Sequence, residues 1–405
     1  MAVIGIILAS LVLACSQEKP LDILDSGMDL AGDLPYTEGS GEEVSASLGF
    51  PEPPSSWDAA LAIARGMDNS TLASQVIMVG LDGNGSLAPD MVLLLRASPP
   101  GGVMLFRHNL NVPKERIGPF LQTLSGLVES ASGVVPFIAV DHEGGQVHRF
   151  SAEVSRLPAP LRYWEAAQAT SWQSALDAVE QDAYHSAVEL RSLGITLNFA
   201  PIAEALTEEN AAFLEDRSYG PNPAFVETAV SAFIRGMERG GIACVVKHFP
   251  GNSRDDPHRF QTQLRGDRET LEELIRPMGG IIKTREAQAV MVSHALLPGM
   301  DPLRIASLSP VVIQEWLRGE LGFSGLVIAD DFSMASVEMR PEQAAVESLY
   351  AGVDMVMAWP MNIRAIHSAI LAALDSGQLT RARLEEAVAR IIQLKLEYCV
   401  QRSDD

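Results

Sequence analysis

The sequence predicts an α/β fold, a single TIM-type (β/α)8 barrel, on three observations. Eight short apolar runs recur after residue 60, most of them continuously apolar rather than alternating, as parallel strands covered on both faces are. Longer stretches with helical patterning fill the gaps between these runs. Ionisable residues stand at the ends of several runs, where barrel enzymes gather their active sites.

The chain opens with 14 almost wholly apolar residues, and the run closes as Leu11-Val12-Leu13-Ala14-Cys15-Ser16. It is shorter than the ~20 residues of a membrane-spanning helix. It suits the apolar region of a signal peptide, which ends at small residues. Ala14-Cys15 resembles a bacterial lipobox, which implies cleavage and lipidation at Cys15. Val12 departs from the usual Leu there, and no Lys or Arg precedes the run. Residues 16–55 carry Asp22, Asp25, Asp29, Asp33, Glu38, Glu42 and Glu43 among Gly, Ser and Pro. Self-repulsion and the lack of apolar periodicity predict a disordered acidic tether. The expectation is an exported bacterial lipoprotein, on the periplasmic or cell-surface side, touching the membrane through its lipid alone.

The predicted strands are Gln75–Gly80, Gly102–Phe106, Val134–Val140, Ile195–Ala200, Ile242–Val246, Ala289–Ser293, Leu326–Ala329 and Asp354–Ala358. Helical patterns over Trp172–Leu193, Pro223–Arg239, Arg268–Thr284, Pro310–Glu320 and Pro341–Ala351 separate them, and Arg381–Leu396 reads as a closing amphipathic helix. No second strand-rich region and no internal repeat follow. The expected organisation is a segment 1–15, a tether 16–55, one barrel domain 56–398 and a tail 399–405.

A chain of 405 residues with 47% hydrophobic content can build a core of this size. Its formal charge of −22 argues against nucleic acid or an anionic membrane surface as partner. Beyond Cys15 only Cys244 and Cys399 remain, one in a core strand and one near the C-terminus. That argues against a structural disulfide and excludes a cysteine-built zinc site. A monomer is expected.

The most informative segment is Lys247-His248-Phe249-Pro250-Gly251, followed by Asp256-Pro257-His258. A charged pair at the mouth of a buried strand must face a ligand, a partner charge or water. Residues i and i+2 of an extended chain point to one side, and Pro257 biases Asp256 toward that geometry. The Asp256 carboxylate is therefore expected to orient the His258 ring and to stabilise its protonated form. A proton-transfer group beside a cationic pocket reads as an active site.

These residues resemble glycoside hydrolase family 3, specifically its β-N-acetylhexosaminidase branch. Asp141-His142-Glu143-Gly144-Gly145-Gln146-Val147-His148-Arg149-Phe150 is similar to the family's D-x-E-G-G-x-V-x-R-F stretch. Glu215-Asp216-Arg217-Ser218-Tyr219-Gly220 resembles its R-S-[YF] element, and Leu321–Met334, containing Ala329-Asp330-Asp331, its nucleophile segment. The resemblance runs from about Leu61 to about Leu396. It departs from the pattern at Asn252-Ser253, where His-Gly is usual, at Pro257, and at Glu204, where Asp is frequent. The interval before Asp256 is also shorter, so a stiffened loop is expected to close differently over the sugar.

The resemblance implies a retaining exo-β-N-acetylglucosaminidase that needs no metal or organic cofactor. It makes Asp330 the nucleophile and His258 the general acid/base, oriented by Asp256. Asp331 is expected to cap or support. An imidazole is chemically adequate in the acid role, because its ordinary pKa of ~6.5 lies near working pH. Asp141, Arg149, Arg217, Lys247 and His248 form the expected sugar-binding set, gripping hydroxyls through charge-assisted bonds. Ion pairing among Asp141, Arg149 and Arg217 is the plainer alternative, and His294 reads equally as a ligand or a buried satisfied histidine. Gly144-Gly145 reads as a tight turn, since no phosphate-loop fingerprint accompanies it. Three other readings stand beside this one: a related β-glycosidase or phosphorylase passing the sugar to phosphate, a non-catalytic sugar-binding lipoprotein, and a metal hydrolase using His248, His258 and His294.

Overall fold

The structure, a computed structural model, describes residues 56–151 and 153–399. Cys15, the segment 1–15, the tether 16–55 and all but the first residue of the tail 399–405 lie outside the described residues. Among the described residues there are ten strands: β1 (Ile77–Gly80), β2 (Gly102–Leu105), β3 (Phe137–Val140), β4 (Leu197–Asn198), β5 (Ala243–Phe249), β6 (Ala289–Val292), β7 (Leu296–Leu297), β8 (Asp301–Ile305), β9 (Leu326–Ala329) and β10 (Val356–Ala358). Eight of them form one parallel sheet in the order β10-β1-β2-β3-β4-β5-β6-β9. A parallel bridge between Ile328 and Met355, with Ala329 N donating to Met355 O at 3.0 Å, joins the two ends. The sheet is thus closed, and the expected barrel forms.

Each of the eight strands is buried along its length, because helices cover the outside while side chains fill the inside. The covering helices begin where local chemistry satisfies their free N–H groups. Ser171 accepts from Ser174 N ahead of Trp172–Ser192, and Asn222 accepts from Ala224 N and Phe225 N ahead of Pro223–Arg239. Thr380 does the same for the closing helix Arg381–Tyr398.

Strand ends shift by up to three residues from the sequence expectation, with Gln75 in a helix rather than a strand, and three further differences stand out. Arg268–Thr284 is two helices, Arg268–Leu274 and Arg276–Lys283. Pro277 has no N–H to donate back along a continuous helix, so the break falls just before it. The hairpin β7–β8 was not expected, since strands of two and five residues containing Pro302 leave no usable periodicity. Strand β5 runs on through Lys247 and His248 to Phe249, carrying both side chains into the barrel mouth.

Below the mouth, Asp354 fastens the closure. Its carboxylate accepts from Arg318 at 2.6 Å, from Arg383 and Arg390 at 3.1 Å each, and from Val327 N of β9 at 2.9 Å. Burial alone raises this carboxyl, but the three guanidiniums outweigh it and hold the group below its ordinary value.

Candidate active site

A cavity of about 740 Å³ opens at the C-terminal ends of the strands. Asp141, Arg149, Arg217, Lys247, His248, Asp256, His258 and Asp330 all line it. It lies within the ~300–1,000 Å³ of small-molecule sites. A larger cavity of about 1120 Å³ lies on the outer side of the loop that follows β5. Of the residues lining the first, only Asn252 and Arg254 also line the second, so the chemistry belongs to the smaller cavity.

Its floor is an ion network. Lys247 Nζ donates to Asp141 Oδ1 at 2.8 Å and sits 2.6 Å from Glu143 Oε1. Arg149 holds the other oxygen of Asp141 at 2.9 Å. Arg217 grips Glu143 with two bonds, of 2.8 and 2.9 Å. Arg217 thus pairs with Glu143, and the expected pairing among Asp141, Arg149 and Arg217 holds only for the first two. Burial alone raises both carboxyls. The Lys247 and Arg149 charges nonetheless hold Asp141 well below the carboxylate range, and Lys247 and Arg217 hold Glu143 down to about 2. Lys247 moves the other way: burial lowers it, but the two carboxylates outweigh burial and keep it charged. Asp141 and Arg149 therefore reach the cavity as permanent charges with fixed positions.

The turn that aims them needs its glycines. Gly144 and Gly145 have φ of 102° and 54°, and a Cβ on Gly144 would stand 2.2 Å from Pro158 O. Tight backbone turning is what these residues provide. Opposite, Glu215 has φ of 50° two residues before Arg217, and its carboxylate accepts from Gln146 at 2.9 Å.

His248 is nearly buried and fixed by Glu204. Its Nδ1 lies 2.8 Å from Glu204 Oε1, and its backbone N donates to the same oxygen at 3.2 Å. Asn252 donates to both Glu204 oxygens, at 2.7 and 2.9 Å. This directs Nδ1–H of His248 at the carboxylate, leaving Nε2 for the cavity it lines.

Asp330 follows β9 directly. One of its oxygens, Oδ1, accepts from Asp331 N at 2.9 Å. Asp331 is spent on structure: Ser333 N and Oγ donate to it at 2.8 and 2.7 Å, and Trp359 Nε1 at 2.8 Å. His294 is a buried satisfied histidine that does not line the cavity. It lies 2.7 Å from Ser307 Oγ and 3.1 Å from Asp331 O, and burial lowers its pKa.

Asp256 and His258 meet on the loop after β5, with Asp256 Oδ1 2.8 Å from His258 Nδ1. The route differs from the expected extended geometry. The same oxygen accepts from His258 N at 3.0 Å, and Arg259 N and Phe260 N return to Asp256 O at 2.9 and 3.0 Å. Pro257 therefore sits in a tight turn headed by an Asx bond, which its fixed φ favours. His258 is exposed, with its side chain 61% accessible. The loop is moored at both ends: Ser336 N donates to Pro257 O at 3.1 Å, and Leu264 N to Leu296 O of β7 at 2.9 Å.

Four contributors escape a reading by motif alone: Glu143, Glu204, Asn252 and Trp359. Glu143 had a signal, since Asp-x-Glu at a strand end puts two carboxylates on one side. Trp359, just past β10, stacks on Phe106 at 5.0 Å and forms an apolar cavity wall. An aromatic directly after a barrel strand was its signal.

A barrel with this constellation at its mouth is that of a glycoside hydrolase. The sequence matches the glycosyl hydrolase family 3 N-terminal domain over residues 75–394, and the chain belongs to that family. It is 33% identical over 286 residues to a β-hexosaminidase of Methylococcus capsulatus, covering 68% of this chain and 80% of that one. A β-hexosaminidase of Stenotrophomonas maltophilia is 36% identical over 267 residues, covering 63% of this chain and 75% of that one. Among solved structures, a family 3 β-N-acetylglucosaminidase from Paenibacillus sp. superposes with a TM-score of 0.77 at 28% identity. That match covers 82% of this chain, which spans 63% of the longer Paenibacillus chain. The expected resemblance to the β-N-acetylhexosaminidase branch is borne out.

Proposed function

We propose that the chain is a retaining exo-β-N-acetylglucosaminidase. The carrying observation is that Asp330 and the Asp256–His258 pair line one cavity from two loops joined by the Ser336–Pro257 bond. Asp330 Oδ2 attacks the anomeric carbon while His258 gives a proton to the leaving oxygen, forming a glycosyl-enzyme. His258, now a base, takes a proton from water, which attacks the same carbon and releases Asp330. Asp141 accepts from sugar hydroxyls, while Arg149, Lys247 and His248 position and donate. Arg217 acts through Glu143. The names of the relatives support a terminal β-linked N-acetylglucosamine as the sugar.

An aryl-glycoside panel, run with and without phosphate, tests this reading. The β-N-acetylglucosaminide should exceed the β-glucoside in kcat/KM by at least about tenfold, a gap of ~1.4 kcal/mol in transition-state binding. Preference for the glucoside overturns the sugar, and a sugar phosphate product overturns hydrolysis. We also propose export with a lipid on Cys15, on the strength of the apolar run before it. Labelled palmitate should enter the wild type and not Cys15→Ser, and equal labelling would sink the anchor.

A further inference from the structure

Behind the sugar-facing turn lie two histidines that the proposed mechanism does not use. The segment 141–149 folds back on itself, with Glu143 N donating to Val147 O at 3.2 Å and Val147 N to Gly144 O at 3.0 Å. Asp141, Glu143 and Arg149 line the cavity. His142 and His148, their neighbours in sequence, do not, and are 0% and 1% exposed. The backbone of His142 is pinned on both sides by Asn198, which accepts from its N at 2.9 Å and donates to its O at 3.1 Å.

The two rings stand 5.1 Å apart between centroids, at 53°. Phe150 meets both edge-on, at 5.6 and 5.9 Å. Both ring nitrogens of His142, Nδ1 of His148 and Oγ of Ser151 are buried with no hydrogen-bond partner. The remaining nitrogen, His148 Nε2, has only Ser151 O at 3.5 Å. A buried polar atom left unpaired is costly, and here four gather in one place. Their chemistry is that of two imidazoles and a hydroxyl, donor atoms a borderline metal ion accepts.

We propose that His142 and His148 together bind a divalent transition ion of the zinc class, with solvent and Ser151 completing its shell. The spacing fits, because two imidazoles on one tetrahedral zinc, at Zn–N of ~2.0–2.1 Å, place their ring centroids roughly 5 Å apart. Among the described residues no group of three or more His, Cys, Asp or Glu side chains converges on one point. The protein thus supplies two imidazoles and one hydroxyl, and the site is a moderate binder rather than a structural zinc cage. An ion there would brace the turn from behind and fix the Asp141–Arg149 pair, without entering the catalytic chemistry.

Untagged full-length protein, dialysed against Zn²⁺ and assayed for bound metal, tests the site. The wild type should hold one equivalent more than His142→Gln/His148→Gln, and a His185→Gln/His367→Gln control should keep that equivalent. Zinc should also raise the Tm of the wild type and not that of the double variant. Equal stoichiometry in wild type and double variant overturns the proposal. Should the double variant not fold, wild-type crystals soaked in Zn²⁺ and measured at the zinc edge decide. An anomalous peak between the two rings supports the site, and its absence, or ordinary water density there, overturns it. None of these readouts uses glycosidase activity, so they succeed or fail apart from the proposed reaction.

Discussion

At the scale of the residue, two neighbouring aspartates differ in what each already holds. Asp331 has bonds from Ser333 and Trp359 on both oxygens, while Asp330 has one bond, from a backbone N–H on Oδ1. Asp330→Asn should therefore lower kcat by about 10⁴-fold with an unchanged Tm, the scale on which covalent catalytic groups act. Loss of folding, or retained turnover, would contradict that. His258→Ala should lose ~10²–10⁴-fold on poor leaving groups and much less on activated aryl glycosides in the glycosylation step. Equal losses across leaving groups would remove His258 from the acid role. The motifs made these residues legible, because each is a charge at a strand end or a turn. Glu204 and Asn252 were visible only as departures from a pattern. What they do depends on folding β4 against β5, which spacing along the chain does not reveal.

At the scale of the element, the loop after β5 sets where the proposed acid/base, His258, stands over the cavity. It is held by β7 at one end and by the loop after β9 at the other. The sequence located its chemistry but predicted the wrong geometry, since Pro257 favours a tight turn as readily as an extended chain. It also missed β7, whose two residues are too few for a period to repeat. The ion network under the loop is a separate element with its own cost. Lys247→Met leaves Asp141 and Glu143 buried with one cation fewer, which should reduce stability by ~3 kcal/mol. A denaturation midpoint equal to that of the wild type would show that the network is not stabilised by Lys247.

At the scale of the whole molecule, eight strands close only if the last two are tied together, and Asp354 ties them while pairing with three arginines. Asp354→Ala should cost ~3–5 kcal/mol, because it strands buried guanidiniums as well as freeing Val327 N. Acid should act in the same direction. Asp141, Glu143 and Asp354 have folded pKa values below their ordinary ones, so the unfolded chain binds protons first. Their contribution is therefore present above about pH 4.5 and is lost as pH falls toward about 2, the value for Glu143. A Tm that stays flat from pH 5 to about pH 3 would contradict this assignment. The barrel itself was readable from eight apolar runs, whereas its fastening was not, because Asp354 reads from sequence as the first residue of a strand. Whether Asp330 forms the glycosyl-enzyme is decided by trapping that intermediate. A 5-fluoro N-acetylglucosaminyl fluoride, in which the ring fluorine slows both steps and fluoride departure rescues the first, should accumulate one covalent sugar per chain. Peptide mass spectrometry should place that sugar on Asp330, and a label on another carboxylate, or none in an active enzyme, would contradict the account.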